Sequence, residues 1–146
     1  MKAKDIINLR NTLTTAISKN WTRIYLENVV KKGETRNYDM KAVYNEIIKD
    51  GIKVVKAKLA QAAMNLGFKN LESLPESNMY GKIYMLSQLK EQRVKLVKIP
   101  TKGGSAEITK KFIDNEVKSI DMRIVEIEEF LEKQNEELDF EFEMAA

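Results

Sequence analysis

From Ile113 to Leu138 the apolar residues recur in steps of four and three: Ile113, Val117, Ile120, Ile124, Ile127, Leu131 and Leu138, with Gln134 the one polar member. That spacing is a heptad seam, the mark of a helix packed along its length against other helices. A looser version of the same periodicity predicts three helices upstream. The first spans residues 3–30, with Ile6, Leu9, Leu13, Ile17, Trp21 and Ile24 on one side. Asp5 falls in its first turn, Lys31 and Lys32 follow at its end, and Gly33 reads as the stop. The second opens on Asp39 as N-cap and runs to about Leu66, where Gly67 ends it. Its stripe includes Gly51, which in a helix interior costs ~1 kcal/mol against Ala. Close approach of a neighbouring helix accounts for that glycine, and so does a kink. The third helix, capped by Ser77 or Asn78, runs from about Met79 to Val94 or further. In the loop before it, Leu71 and Leu74 are expected to fold back onto the core.

Two stretches are ambiguous in period. Arg93 to Ile99 (RVKLVKI) is rich in β-branched residues and ends at Pro100. It either finishes the third helix or forms a short strand. Leu138 to Met144 (LDFEFEM) alternates apolar and acidic residues, a period of two that marks a strand. It either pairs with residues 93–99, whose lysines complement its acids, or forms an acidic–aromatic arm that orders on a partner. Between these stretches, Thr101 to Ser105 (TKGGS) is the clearest break. Ser105 reads as the N-cap of the last helix and Glu107 as part of its first turn. A helix from Ser105 to Leu138 would hold 34 residues, or ~50 Å. That is too long for one short neighbour. Either the other helices match it or part of the seam meets another subunit. The pattern therefore predicts an all-α fold: an antiparallel bundle of about four helices, the last long and coiled-coil-like. A minor β element is expected near 93–99 and 138–144. Residues 1–138 form a single helical domain, and 139–146 form an acidic–aromatic tail with Phe140, Phe142 and Met144 as its interface residues.

Composition agrees with that picture and adds charge. The chain of 146 residues is 43% hydrophobic and 32% charged, with 6 Gly and 2 Pro, a profile of a folded helical domain. Net charge is +3 but unevenly spread. Residues 1–104 hold 20 Lys/Arg against 9 Asp/Glu, net +11; residues 105–146 hold 5 against 13, net −8. A basic body and an acidic last helix are expected to attract, within one subunit or between two. No apolar run is long enough to span a membrane, and the charged first ten residues do not read as a secretory leader.

The chain has no histidine and no cysteine. The commonest general base, the commonest transition-metal ligand and every thiolate are therefore missing. The glutamates Glu126, Glu128, Glu129, Glu132, Glu136 and Glu137 lack the Glu-x-x-His pairing of di-metal bundles. They read as the charged flanks of a coiled coil. TKGGS lacks P-loop spacing and reads as a turn. No catalytic residue, metal site or cofactor is expected. Basic residues offer a different chemistry. Lys49, Lys53 and Lys56 share one face of the second helix, and Lys90, Arg93, Lys95, Lys98 and Lys102 form a second group, so both could contact phosphates, with Arg93, Lys95 and Lys98 the candidates in the second. No helix-turn-helix, RNA-binding sheet or zinc-finger signature accompanies them.

The sequence thus leads to two readings. The first is a non-enzymatic assembly or interaction protein that oligomerises or docks on a partner through the last helix and the tail. Its setting would be the cytoplasm or a virion, and a phage or other virion component fits its size and amphipathic helices. The alternative is a small nucleic-acid-binding protein without sequence specificity, using the basic residues 1–104.

Overall fold

The computed structural model describes residues 1–75 and 78–143. Within them lie four α-helices: α1 (Ala3–Glu27), α2 (Met40–Asn65), α3 (Tyr80–Leu96) and α4 (Lys110–Glu137). Strands β1 (Val29–Val30) and β2 (Ser105–Ala106) pair antiparallel, and a 3-10 turn covers Leu71–Ser73. The fold is an all-α bundle with a minor β element. Ser77 and Met144, singled out in the sequence as a cap and a tail position, lie outside the described residues.

Successive helices run antiparallel, as cross-links between them show. Arg10 donates to Gln61 and Trp21 meets Tyr44 across α1 and α2. Gly51 faces Gln88, while Gln92 donates to Tyr44, across α2 and α3. Across α3 and α4, Lys90 pairs with Glu128 and Arg93 with Asp121. One core joins them: Trp21 and Ile24 of α1, Met40, Val43, Tyr44 and Ile47 of α2, Leu89 and Leu96 of α3, and Ile113, Ile120 and Ile127 of α4. Ile99 and Ile108 close it from the α3–α4 connection.

The minor β element lies elsewhere than expected. The backbone of Arg93–Leu96 is committed to α3, and Val97 to Ile99 turn out of the helix through i→i−3 and i→i−4 bonds. That leaves no edge for the tail, and residues 138–143 form no strand. The strand pair forms instead because α1 ends at Glu27, three residues before the expected end. Asn28 is fully buried there. Its Nδ2 donates to the carbonyls of Pro100 (2.8 Å) and Ile108 (2.9 Å), and its Oδ1 accepts from the Ile108 N–H (2.7 Å). Three tertiary hydrogen bonds replace one further helical turn, and the β-branched Val29–Val30 go extended beside Ser105–Ala106. Gly104 makes the approach feasible, since a Cβ there would overlap the Val30 carbonyl.

This pairing also corrects the start of the last helix. Ser105 is in β2, and the N-cap is Thr109, whose hydroxyl accepts from the Phe112 N–H. Glu107 precedes α4 and caps α2 across the chain, its carboxylate accepting from the N–H groups of Met40 (3.0 Å) and Lys41 (2.9 Å). Asp39 caps the same end, as its position in the sequence predicts, by accepting from Ala42 (3.0 Å). At the other end of α2 Gly67 adopts a positive φ of 88° and Phe68 donates back to Ala63, a left-handed stop. The Gly51 question resolves as close approach. A Cβ at that position would sit 2.8 Å from Gln88 Nε2.

α4 holds 28 residues, or ~42 Å. Lys90 lies ten residues into α3 and Glu128 nine residues from the end of α4, so α3 starts about where α4 stops. The N-terminal turns of α4 extend beyond α3 and meet α2, where Tyr44 packs edge-on against Phe112 at 5.8 Å.

Candidate functional site

The heptad seam faces inward for most of its length. Ile113, Ile120 and Ile127 are buried, and Val117, Ile124 and Leu131 are half-buried against the same core. Leu138 departs from the set: α4 has ended, and the residue is 49% exposed. Beyond it Phe140 and Phe142 are 82% and 71% exposed, their rings 6.5 Å apart and in contact with little else. The interior thus takes the seam, and the tail aromatics stay in solvent.

The opposite side of α4 carries a second apolar feature. Met122 and Val125 are 60% and 52% exposed. At 100° per residue Met122 lies about half a turn and Val125 about a third of a turn from the seam. With Val117, Asp114, Lys118, Asp121 and Glu126 they line a shallow groove of about 580 Å³. α3 borders one edge of this face through two ion pairs. Arg93 grips Asp121 with two hydrogen bonds (2.6 and 3.2 Å), and Lys90 reaches Glu128 at 3.6 Å. The Asp121 carboxylate raises the Arg93 pKa further above its ordinary value. The acidic last helix therefore does attract the basic body within one subunit, at these two places.

Arg93 is thereby engaged by a carboxylate and separated from the other expected phosphate contacts. Lys49, Lys53, Lys56 and Lys98 are exposed, and Lys95 is half-buried. Lys95 lines a cleft between α1 and α3 whose floor is α2, made of two adjoining hollows of about 690 and 360 Å³. Arg10 and Lys58 contribute to both hollows. Tyr80 and Tyr84, stacked at 6.1 Å, form part of the wall. The structure does not bring Lys49, Lys53 or Lys56 into this cleft. Arg10, Lys58 and the tyrosine pair were not singled out in the sequence, because they come from three different helices and share no local pattern. Met122 and Val125 were missed for another reason. Two apolar residues three apart on a charged face are weak against a seven-member seam.

The interior polar groups are structurally tied. The Tyr44 hydroxyl donates to Glu116 Oε2 (2.9 Å) and accepts from Gln92 Nε2 (2.8 Å), with Trp21 and Phe112 against its ring. Burial pushes its pKa well above the ordinary tyrosine value; the Gln92 hydrogen bond opposes that and the Glu116 carboxylate adds to it. Asp50 is buried on α2, and burial raises its pKa, with Glu46 adding to the rise and Lys53 opposing it. Among the described residues no three carboxylates converge as metal ligands would, and no helix is long and apolar enough to cross a membrane.

No family model matches this chain, and no curated protein or solved structure shows detectable similarity to it.

Proposed function

We propose that this chain is a non-enzymatic helical protein that works by association, docking on itself or on another protein through the outer face of α4 and the acidic–aromatic tail. The observation that carries this reading is the set of apolar side chains left uncovered there: Met122 and Val125 on the helix, then Leu138, Phe140 and Phe142 beyond its end. Singly exposed apolar residues are ordinary on a folded surface, but clustered ones rimmed by charge mark interaction sites. The tail adds a second argument. Its aromatic rings contribute large contact area to an interface and nothing to this core. A virion or cytoplasmic assembly is the setting we assign to it, with no membrane partner.

Light scattering of the full chain and of a version ending at residue 138, each across a concentration series, tests this reading. Concentration-dependent growth in mass, reduced by removing the tail or by Met122→Asp with Val125→Asp, is the expected result. A monomer at every concentration that also captures no protein partner through these residues overturns it.

A second reading has its own observation. The hollow holding Arg10 and Lys58 beside stacked Tyr80 and Tyr84, with Lys95 in the adjoining hollow, combines phosphate-binding charge with rings on which a base can lie. A single-stranded oligonucleotide titration at low and high salt decides it. Salt-sensitive binding lost in Arg10→Ala with Lys58→Ala supports this reading, and no binding at low salt refutes it.

A further inference from the structure

Heptad spacing continues around α4 onto its solvent side. Lys111, Lys118 and Val125 follow one another at seven-residue intervals, and so do Met122, Glu129 and Glu136. All six are exposed. At 100° per residue the two rows lie side by side, which is the a/d arrangement of a second coiled-coil seam, apolar only at its centre. Its outer positions are basic toward the N-terminus and acidic toward the C-terminus.

Resting on the association proposed above, we infer that this face pairs with the same face of a second copy. The two α4 helices run antiparallel about a two-fold axis passing between Met122 and Val125. Sequence position sets the register. With the axis there, Met122 lies against Val125 of the other copy. Lys118 is four residues before Met122 and Glu129 four after Val125, so they meet. Lys111 and Glu136 are each eleven residues out from the same two positions, so they meet as well. The axis repeats each pair, giving two apolar layers and four opposite-charge layers, with Asn115 facing Glu132 of the other copy between the inner and outer charged pairs. A parallel pair in register would stack Lys118 on Lys118 and Glu129 on Glu129, and like charges facing across an interface are repulsive. An isologous antiparallel pair is therefore the arrangement this charge pattern selects.

The edge of the face is already prepared for such a contact. Asp121 and Glu128 border it, and two antiparallel copies would bring these acids near one another. Arg93 and Lys90 of α3 neutralise them within each subunit. The weakly apolar centre implies a modest, salt-sensitive dimer rather than an obligate one.

Because the chain has no cysteine, cross-linking can read the register without background. Chains carrying Lys118→Cys and Glu129→Cys, mixed and mildly oxidised, are expected to form a disulfide-linked heterodimer, with far less product from either chain alone. In sedimentation, Lys118→Glu should weaken the dimer by about tenfold or more, and so should Glu129→Lys. The doubly exchanged chain should recover most of that loss, because each copy then presents the reversed pair. Far-UV circular dichroism checks that the variants stay folded, as exposed positions allow. Equal cross-linking of Lys118→Cys alone would overturn the antiparallel register. An assembly that ignores these substitutions and Met122→Asp but vanishes with the tail would overturn the inference and leave the association reading standing. A monomer under all conditions would overturn the inference, and lack of protein capture as well would remove both.

Discussion

Asn28→Ala is the most informative single perturbation of this fold, because one side chain makes three hydrogen bonds to backbone eighty and seventy-two residues away. The substitution leaves the Pro100 and Ile108 carbonyls and the Ile108 N–H without their partner in a site that admits no solvent at the Asn28 position. A hydrogen bond contributes about 0.5–1.5 kcal/mol net, so three amount to about 2–4 kcal/mol. The vacated space adds little, since the removed group is small. For a domain of this size that corresponds to a fall in Tm of about 5–15 °C. Urea unfolding followed by circular dichroism measures the free energy directly. Amide exchange adds location: protection at Val30 and Ile108 should fall before protection in the centre of α2. A loss below about 0.5 kcal/mol would show that water or rearranged backbone satisfies these groups. The Asn28 side chain would then not be what stops α1 at Glu27.

Other outcomes follow from burial and charge. Ile120→Ala, inside the seam, should cost about 2–5 kcal/mol in denaturant unfolding, whereas Leu138→Ala, formally the same stripe, should change stability by less than about 0.5 kcal/mol. Tyr44 has a raised pKa, so its neutral form is favoured in the folded state and its stabilising share is lost as pH rises past the ordinary tyrosine value of about 10. Tyr44→Phe should therefore show a shallower loss of stability in alkali, while costing about 1–3 kcal/mol at neutral pH through the lost Glu116 and Gln92 bonds. Asp50 is also raised, which for a carboxyl means that stability is fully present below its unfolded pKa and declines as pH rises through the folded one. Asp50→Asn should accordingly raise Tm at neutral pH, with the advantage closing in acid; a lower Tm at neutral pH would refute it.

Helix count, helix order and the inward side of α4 were legible in the sequence because each rests on many residues repeating one period. Asp39 and Gly67 were legible because caps are local. What was hidden depended on partners far apart in the chain. Asn28 looks like any residue late in an amphipathic helix, and nothing nearby signals that Pro100 and Ile108 will claim its side chain. Glu107 sits where a first-turn acid would sit, yet it serves the start of α2. The tail shows the converse error. Its strand period is genuine, but a period gives a residue's alternation and says nothing of whether an edge exists to receive it. Here α3 had already used the backbone of the proposed partner.

The same limit explains why α4 carries two seams of unequal legibility. A heptad row reports that a helix has a partner along one face without saying which partner. On the inner face the partners are α2, α3 and the α3–α4 connection, and burial at Ile113, Ile120 and Ile127 follows every seventh residue. On the outer face the row is equally regular, but its members are mostly charged, so hydrophobicity alone passes over it. Charge order carries the information there instead. Lysines precede Met122 and glutamates follow Val125, an asymmetry that a merely solvated face has no reason to keep in heptad register. If the glutamates flanking this row served only solubility, exchanging Lys118 with Glu129 within one chain would be indistinguishable from either single reversal. The antiparallel pair requires the exchange to behave like the original, and that difference separates a solvated face from an interface.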